Sequence, residues 1–478
     1  MRRIVQALLV ALLALVPFLA SAQSSVTGSG FQVQNLSETQ PANIVITYYT
    51  STGSTVTQSA QIPAGASLTF FNGQGGTVAM SAPAGFRGSV VISSDQPIAA
   101  ITNLIGSGVG ESYGGFASGS QTVSVPLITR NNFGNTTVLT VQNTGSASTD
   151  VTVTYTPGTV GNTGVTDTAT IPAGASATFE QSSKTALGDR FVGSATVTAS
   201  TGGSIVAIVN QEGNSQLLTY NGFTAAGASI AVPLLVANNF GSLTGLQVQN
   251  TGSSSANVTV TYTPNTVADA GTAASVCGTP TAETATIAAG GSKTFIQAGG
   301  DSAEGFNNFF ATCRYVGGAT ITATGGSLVA IVNQVAGTSA SSYESFSVAA
   351  ATNTVKVPLA MANNFGNYTG IQIQNVGSSS AQVTLAYGTN TVTDAGTAAS
   401  VCGTPTSRTV TVAAGSSYTF IQSADGSDAN GFDSQFSGCR YVGSATISTA
   451  TGGKIVAIVN QAASGTGDTL YTYNAFNQ

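Results

Sequence analysis

Ile371-Gln372-Ile373-Gln374-Asn375, followed after a short gap by Val383-Thr384-Leu385-Ala386-Tyr387, is a couplet that occurs four times in the chain. The other copies are Phe31 to Asn35 with Ile44 to Tyr48, Leu139 to Asn143 with Val151 to Tyr155, and Leu246 to Asn250 with Val258 to Tyr262. Each half alternates apolar and polar residues, the period of a strand with one buried and one wet face. The near-constant, Gly-Ser-rich gap between the halves predicts a hairpin. Four copies predict a row of four small β domains.

Working outward from the couplet, each repeat continues into a turn: Ile62 to Gly65, Ile171 to Gly174, Ile287 to Gly290 and Val412 to Gly415. Proline presets φ in the first two, and glycine permits a left-handed corner in all four, so two strands are expected to meet there. A second alternating strand follows, at Gly88 to Ile92, Gly193 to Val197, Gly317 to Ile321 and Gly443 to Ile447. The most apolar run of each repeat comes next, at Ile98 to Asn103, Ile205 to Asn210, Leu328 to Asn333 and Ile455 to Asn460, and reads as a central strand. Tyr113, Tyr220, Tyr343 and Tyr473, each followed three residues later by Phe, close the repeats. No stretch carries a sustained helical period.

Three further segments lie between repeats, each a Val-Pro-Leu followed by Asn-Asn-Phe-Gly: Val125 to Gly134, Val232 to Gly241 and Val357 to Gly366. The boundaries expected are 1–22 for a signal peptide and 23–121, 122–229, 230–353 and 354–478 for the repeats. At roughly 110 residues each, the repeats are close to the size of an immunoglobulin sandwich. The Asn-x-Gly-Ser hairpin, the outward-Thr strand and the Ile-Pro-Ala-Gly turn together resemble the immunoglobulin-like modules repeated in bacterial exported and cell-surface proteins. That resemblance covers everything after the signal. It implies an all-β chain of four tandem antiparallel immunoglobulin-like sandwiches, and such modules serve as spacers, adhesins, pilus parts and envelope lattices alike.

Arg2 and Arg3, the apolar run from Ile4 to Ala20 and the small-x-small site Ala20-Ser21-Ala22 have the order of a cleavable secretory signal. The mature chain is expected to begin at Gln23, exported, with no transmembrane anchor left after cleavage. Only 6% of the 478 residues are charged, with 12 basic against 18 acidic side chains. Such a chain has no basic footprint for nucleic acid. Its apolar fraction of 42% is periodic, so it folds, with wet faces made of Ser, Thr, Asn, Gln and Gly.

Cys277 and Cys313 fall in the third repeat, Cys402 and Cys439 at matching places in the fourth. In an exported chain these read as two intradomain disulfides. One cysteine of each pair lies in an insertion that the second repeat lacks, where Asp189 stands in the place of Cys313. The bridge therefore reads as a staple for the longer loop.

There is no histidine, which removes Ser-His-Asp and Cys-His catalysis. No acid/base pair recurs between repeats, so no enzyme is expected. Asp425, Asp428, Asn430 and Asp433, with Asp301 and Glu304 in the matching loop, offer oxygen donors of the kind calcium takes. Their spacing matches no EF-hand, and a solvated loop is the competing reading. No other cofactor is expected. Lys184, Lys293, Lys356 and Lys454 sit at different places in their repeats, against Lys-Asn cross-links. Repeated Tyr and Phe are expected in the core, and sequons stand at Asn35, Asn135, Asn257 and Asn367.

These readings favour a non-enzymatic structural protein of the cell surface, a subunit of a layer, sheath or filament, over an adhesin that binds surface glycans. Three Val-Pro-Leu segments for four repeats leave one terminal repeat without the segment. If the segment is an edge strand, that repeat exposes unpaired backbone, a template for self-association end to end.

Overall fold

In a computed structural model of the chain, residues 26–72, 78–106, 108–213, 216–462 and 469–478 are described, and the signal expected at 1–22 lies outside them. The described residues are all-β, with eight sheets whose main ladders are antiparallel, paired into tandem sandwiches. Among the described residues no helix is long and apolar enough to cross a membrane.

The second repeat shows the plan. Its eight strands are Thr122–Arg130, Thr136–Asn143, Thr149–Val160, Val165–Ile171, Ser176–Glu180, Phe191–Ala199, Ile205–Gly213 and Gln216–Asn221. One sheet runs fourth-third-sixth-first and the other fifth-second-seventh-eighth. Repeats three and four keep that order. The second and fifth strands pair as B and E do in an immunoglobulin sandwich, and the third and sixth as C and F do. The seventh strand, however, lies beside the second, the first beside the sixth and the fourth beside the third, so these three occupy the opposite sheets from the immunoglobulin order.

The couplet is not a hairpin. Its halves lie in different sheets and face each other across the core, Leu139 and Val141 from one side, Val151, Val153 and Tyr155 from the other. The asparagine that ends the first half holds this arch. The Asn143 amide nitrogen donates to the carbonyls of Ala147 at 2.7 Å and Ile171 at 2.9 Å, and its oxygen accepts from the Gly145 N–H at 2.9 Å. Asn35, Asn250 and Asn375 do the same work in the other repeats. Gapped alternation alone leaves a hairpin and an arch equally open, because both put apolar faces inward. The Ile-Pro-Ala-Gly turn is a second arch, with glycine φ values of 67°, 72°, 69° and 70° at Gly65, Gly174, Gly290 and Gly415.

The Val-Pro-Leu segments are the first strands of the repeats they precede, antiparallel to the sixth. Proline cannot donate to the ladder, and the register shifts beside it, between Val125 and Ile128 in the second repeat. The leucine left out of the ladder is recovered by the closing tyrosine. The Tyr220 hydroxyl donates to the Leu127 carbonyl at 2.5 Å and accepts from the Leu127 N–H at 3.2 Å. Tyr343 holds Leu234 and Tyr473 holds Leu359 in the same way. The closing phenylalanines pair with the opposite edge of that first strand.

The repeats do not form a row. Their last long strands, Gly110–Gly114, Gln216–Asn221, Ser339–Glu344 and Leu470–Asn474, gather around one axis, and the fourth repeat returns to the first. Gln211 bonds Asn333 across one joint, Gln334 bonds Asn460 across the next, and Gln461 reaches Ser112 across the closing joint. Lys356 of the fourth repeat also pairs with Glu38 of the first at 3.3 Å. Apolar contacts follow the same rotation: Ile331 packs into the core of the second repeat, Ile458 into that of the third, Ile101 into that of the fourth. The seventh strand is apolar on both faces because one face meets its own core and the other a neighbour. A one-dimensional pattern shows that both faces are apolar, but not which neighbour they meet.

Glu344 lies at the axis, its carboxylate accepting from the Asn221 N–H at 2.5 Å. Burial pushes its pKa up to about 7. The folded ring thus favours the protonated acid, and the contribution is complete below the ordinary glutamate range and lost as pH rises through about 7. The thermal midpoint of the wild type should fall between pH 5 and pH 8 more steeply than that of Glu344→Gln, measured side by side by calorimetry. Parallel pH profiles would refute this.

Candidate functional site

Three of the repeated phenylalanines expected in the core stand in solvent instead. Phe133, Phe240 and Phe365 are 73%, 63% and 56% exposed. Each belongs to the Asn-Asn-Phe-Gly hairpin joining the first two strands of its repeat. In the second repeat the Asn132 N–H donates to the Asn135 carbonyl at 2.9 Å and the Asn135 N–H returns to Asn132 at 3.0 Å, leaving two residues at the tip. Those residues, Phe133 and Gly134, have φ of 50° and 85°, as a two-residue primed turn requires. Phe240 and Phe365 adopt 51° and 52°. A left-handed phenylalanine lacks the side-chain bond that excuses asparagine there, and costs on the order of 1 kcal/mol or more. The preceding asparagines, at φ of 49°, 46° and 49°, do have that bond. Asn238 donates to Phe310 and Cys313 carbonyls at 2.7 and 2.9 Å, and Asn363 to those of Phe436 and Cys439 at 2.7 Å each.

Each tip rests on an arginine. The guanidinium carbons of Arg190, Arg314 and Arg440 lie 4.5, 4.6 and 4.5 Å from the ring centroids of Phe133, Phe240 and Phe365, cation–π geometry. Each arginine Nε also donates to the middle asparagine of its own tip, Asn132, Asn239 or Asn364, at 2.9 Å. A carboxylate completes the set: Asp269 on Arg314, Asp394 on Arg440, and Glu304, from the following repeat, on Arg190. The Asp269 carboxyl is held below its usual range by the Gly271 N–H and, next, by Arg314.

The insertion and its disulfide explain where those aspartates come from. Cys277–Cys313 and Cys402–Cys439 are formed, and Arg314 and Arg440 directly follow the second cysteine of each pair. The bridge pins the inserted loop beside its arginine. A Cβ placed on Gly271 or Gly396 would approach the Phe240 or Phe365 ring to 3.1 Å, so the loop backbone lies directly against the tip. The second repeat has neither insertion nor bridge and borrows Glu304 from its neighbour.

The acidic loop falls elsewhere. Asp425 accepts from the Ser423 hydroxyl at 2.9 Å, and Asp433 caps the short turn Ser434–Phe436 by accepting from the Gln435 N–H at 3.2 Å. Asn430 crosses to Asp269 of the third repeat at 3.3 Å, and Asp428 opens the turn Asp428–Asn430. Asp301 caps Ser302–Glu304 and Glu304 pairs with Arg190. Among the described residues no three acidic, cysteine or histidine side chains converge as metal ligands. The sequon asparagine Asn35 is fully buried in its arch and presents no amide to solvent.

The tips had a readable signal. Arg190, Arg314 and Arg440 occupy one aligned position in the three repeats that carry Asn-Asn-Phe-Gly, and the first repeat lacks both partners. Phenylalanine as a strand-former hid it, since a Phe beside Gly reads equally as core. No protein-family model matches the chain, and neither does any curated protein sequence. Among solved structures it is similar, at 16% identity and a TM-score of 0.11, to the crystal structure of a tetra-tandem repeat in the extending region of a large adhesion protein, over 93% of this chain and 94% of that one.

Proposed function

We propose that the chain is a non-enzymatic exported protein of the cell surface, four immunoglobulin-like sandwich domains closed into a ring that serves as a structural subunit of a layer, sheath or filament. The observation that carries this reading is the set of three exposed phenylalanines at strained tips, each backed by the same arginine and asparagine. The three tips occupy equivalent places in repeats whose joints use equivalent contacts. Strain kept at three equivalent exposed positions points to contact with something outside the molecule. Two disulfides fit an oxidising location. Repetition of one contact, an aromatic ring backed by an arginine, suits a lattice, where several weak contacts add through avidity.

Asparagine is the residue that a primed turn prefers at the phenylalanine position. The triple variant Phe133→Asn, Phe240→Asn, Phe365→Asn should therefore fold with an unchanged or slightly raised melting temperature, while losing its place on the cell, seen by imaging and by surface fractionation. Retention of normal surface assembly by that variant would defeat the proposal. A second reading, an adhesin for surface glycans, is favoured by the aromatic faces themselves, since sugars stack on such rings. Specific glycan-array signals that vanish in the triple variant would select it.

A further inference from the structure

Among the described residues the first repeat shows no first strand. Its sheet runs Thr55–Ile62, Ala42–Thr50, Gly88–Ser94, and among the described residues nothing pairs with the far edge of Gly88–Ser94. In the second repeat that edge is filled by Thr122–Arg130, and the side chains beneath it, Ala195, Val197, Ile205 and Ala207, are buried. Their counterparts in the first repeat, Val90, Ile92, Ile98 and Ala100, are only partly buried. The gap continues into the ring. The first strand of the second repeat is covered by the second and seventh strands of the third, and that of the third by those of the fourth. Accordingly Ile331 and Ile458 are fully buried, whereas the equivalent Ile208, facing the first repeat, is only partly so. Among the described residues the place of that strand is a slot at the first joint, walled by the edge of Gly88–Ser94 on one side and Ile208 on the other. The latch has changed too. Tyr113, equivalent to the tyrosines that hold leucine in the other repeats, bonds Thr102.

We propose that this slot receives an extended segment of another exported polypeptide, added antiparallel to Gly88–Ser94. Backbone pairing to an open edge supplies affinity, and pockets for alternate side chains supply selectivity. The three filled edges of the same chain define the occupant: apolar residues two apart, as at Val123 and Val125, then proline, then leucine. Proline suits the site because the sister strands break register there and leave a leucine for the tyrosine. A second copy is the poorer donor, since each Val-Pro-Leu strand is held in its own repeat by a ladder and a tyrosine. The inference concerns a different surface from the tips and stands whether or not they act at the cell surface.

The probe is a synthetic peptide with the sequence of residues 354–362, labelled for fluorescence anisotropy and titrated with the purified protein. Saturable binding is expected, weakened at least tenfold when both valines of the peptide are replaced by aspartate. Register gives a second readout that no folding defect can mimic. Ser93 occupies the place of Thr198, which lies opposite Thr122, and its side chain is exposed. A peptide with an activated cysteine at its first position should cross-link to Ser93→Cys and not to Ser59→Cys on the far strand. Absence of saturable binding, equal cross-linking at the two positions, or a self-dimer that the peptide dissolves would each overturn the proposal.

Discussion

Replacing Asn250 by alanine is expected to destabilise the third repeat by about 3–5 kcal/mol, because each buried polar group left without its partner costs about 1–3 kcal/mol. The side chain is fully buried, and its amide donates to Ser254 at 2.7 Å, Ile287 at 3.0 Å and Ala288 at 3.2 Å, while its oxygen accepts from Gly252 at 2.9 Å. Alanine removes all of these together and leaves carbonyls at the crossing of both sheets in an apolar setting. Water cannot readily replace the amide there, so little of the loss is recovered. Urea unfolding monitored by tyrosine fluorescence should show the shift. A loss below about 1 kcal/mol would mean that the arch is held by its turn residues and not by the asparagine.

The double variant Cys402→Ser, Cys439→Ser should cost about 4 kcal/mol on the chain-entropy estimate for a 37-residue separation. Its effect should also be local. Without the bridge, the inserted loop carrying Asp394 is free to leave Arg440, and the support beneath Phe365 goes with it. Limited proteolysis should then cut between Gly388 and Cys402, while the matching loop of the third repeat, still bridged, resists. Arg440 holds the middle asparagine Asn364 by itself, so the hairpin turn should persist even when its ring loses order. Equal cutting of both loops would contradict the local role assigned to each bridge.

Much of the architecture is legible in the residues, and the reason differs from element to element. Period-two alternation at Val151 to Tyr155 can be satisfied only by a strand with one buried face, so the strands and the all-β class follow from local patterning. Gly65, Gly174, Gly290 and Gly415 lie where a left-handed corner is needed, and no other residue enters that region so freely. Cysteines at matching places in two repeats have one economical pairing. These are short-range constraints, written in a window of a few residues or in the comparison of one repeat with the next.

What only the tertiary structure decided is which strand meets which, and which faces meet nothing. The arch at Asn143 and a hairpin have the same apolar pattern, and the difference lies in bonds to Ile171, in the opposite sheet. The ring replaces a row because Ile101, Ile331 and Ile458 find cores in other repeats, contacts between residues far apart in the chain. Phe133, Phe240 and Phe365 look like core residues until the hairpin turns them outward onto arginines at or just before the start of the sixth strand. Hydrophobicity states that a side chain seeks cover but not where cover lies; that is settled by long-range packing, which a local pattern does not encode.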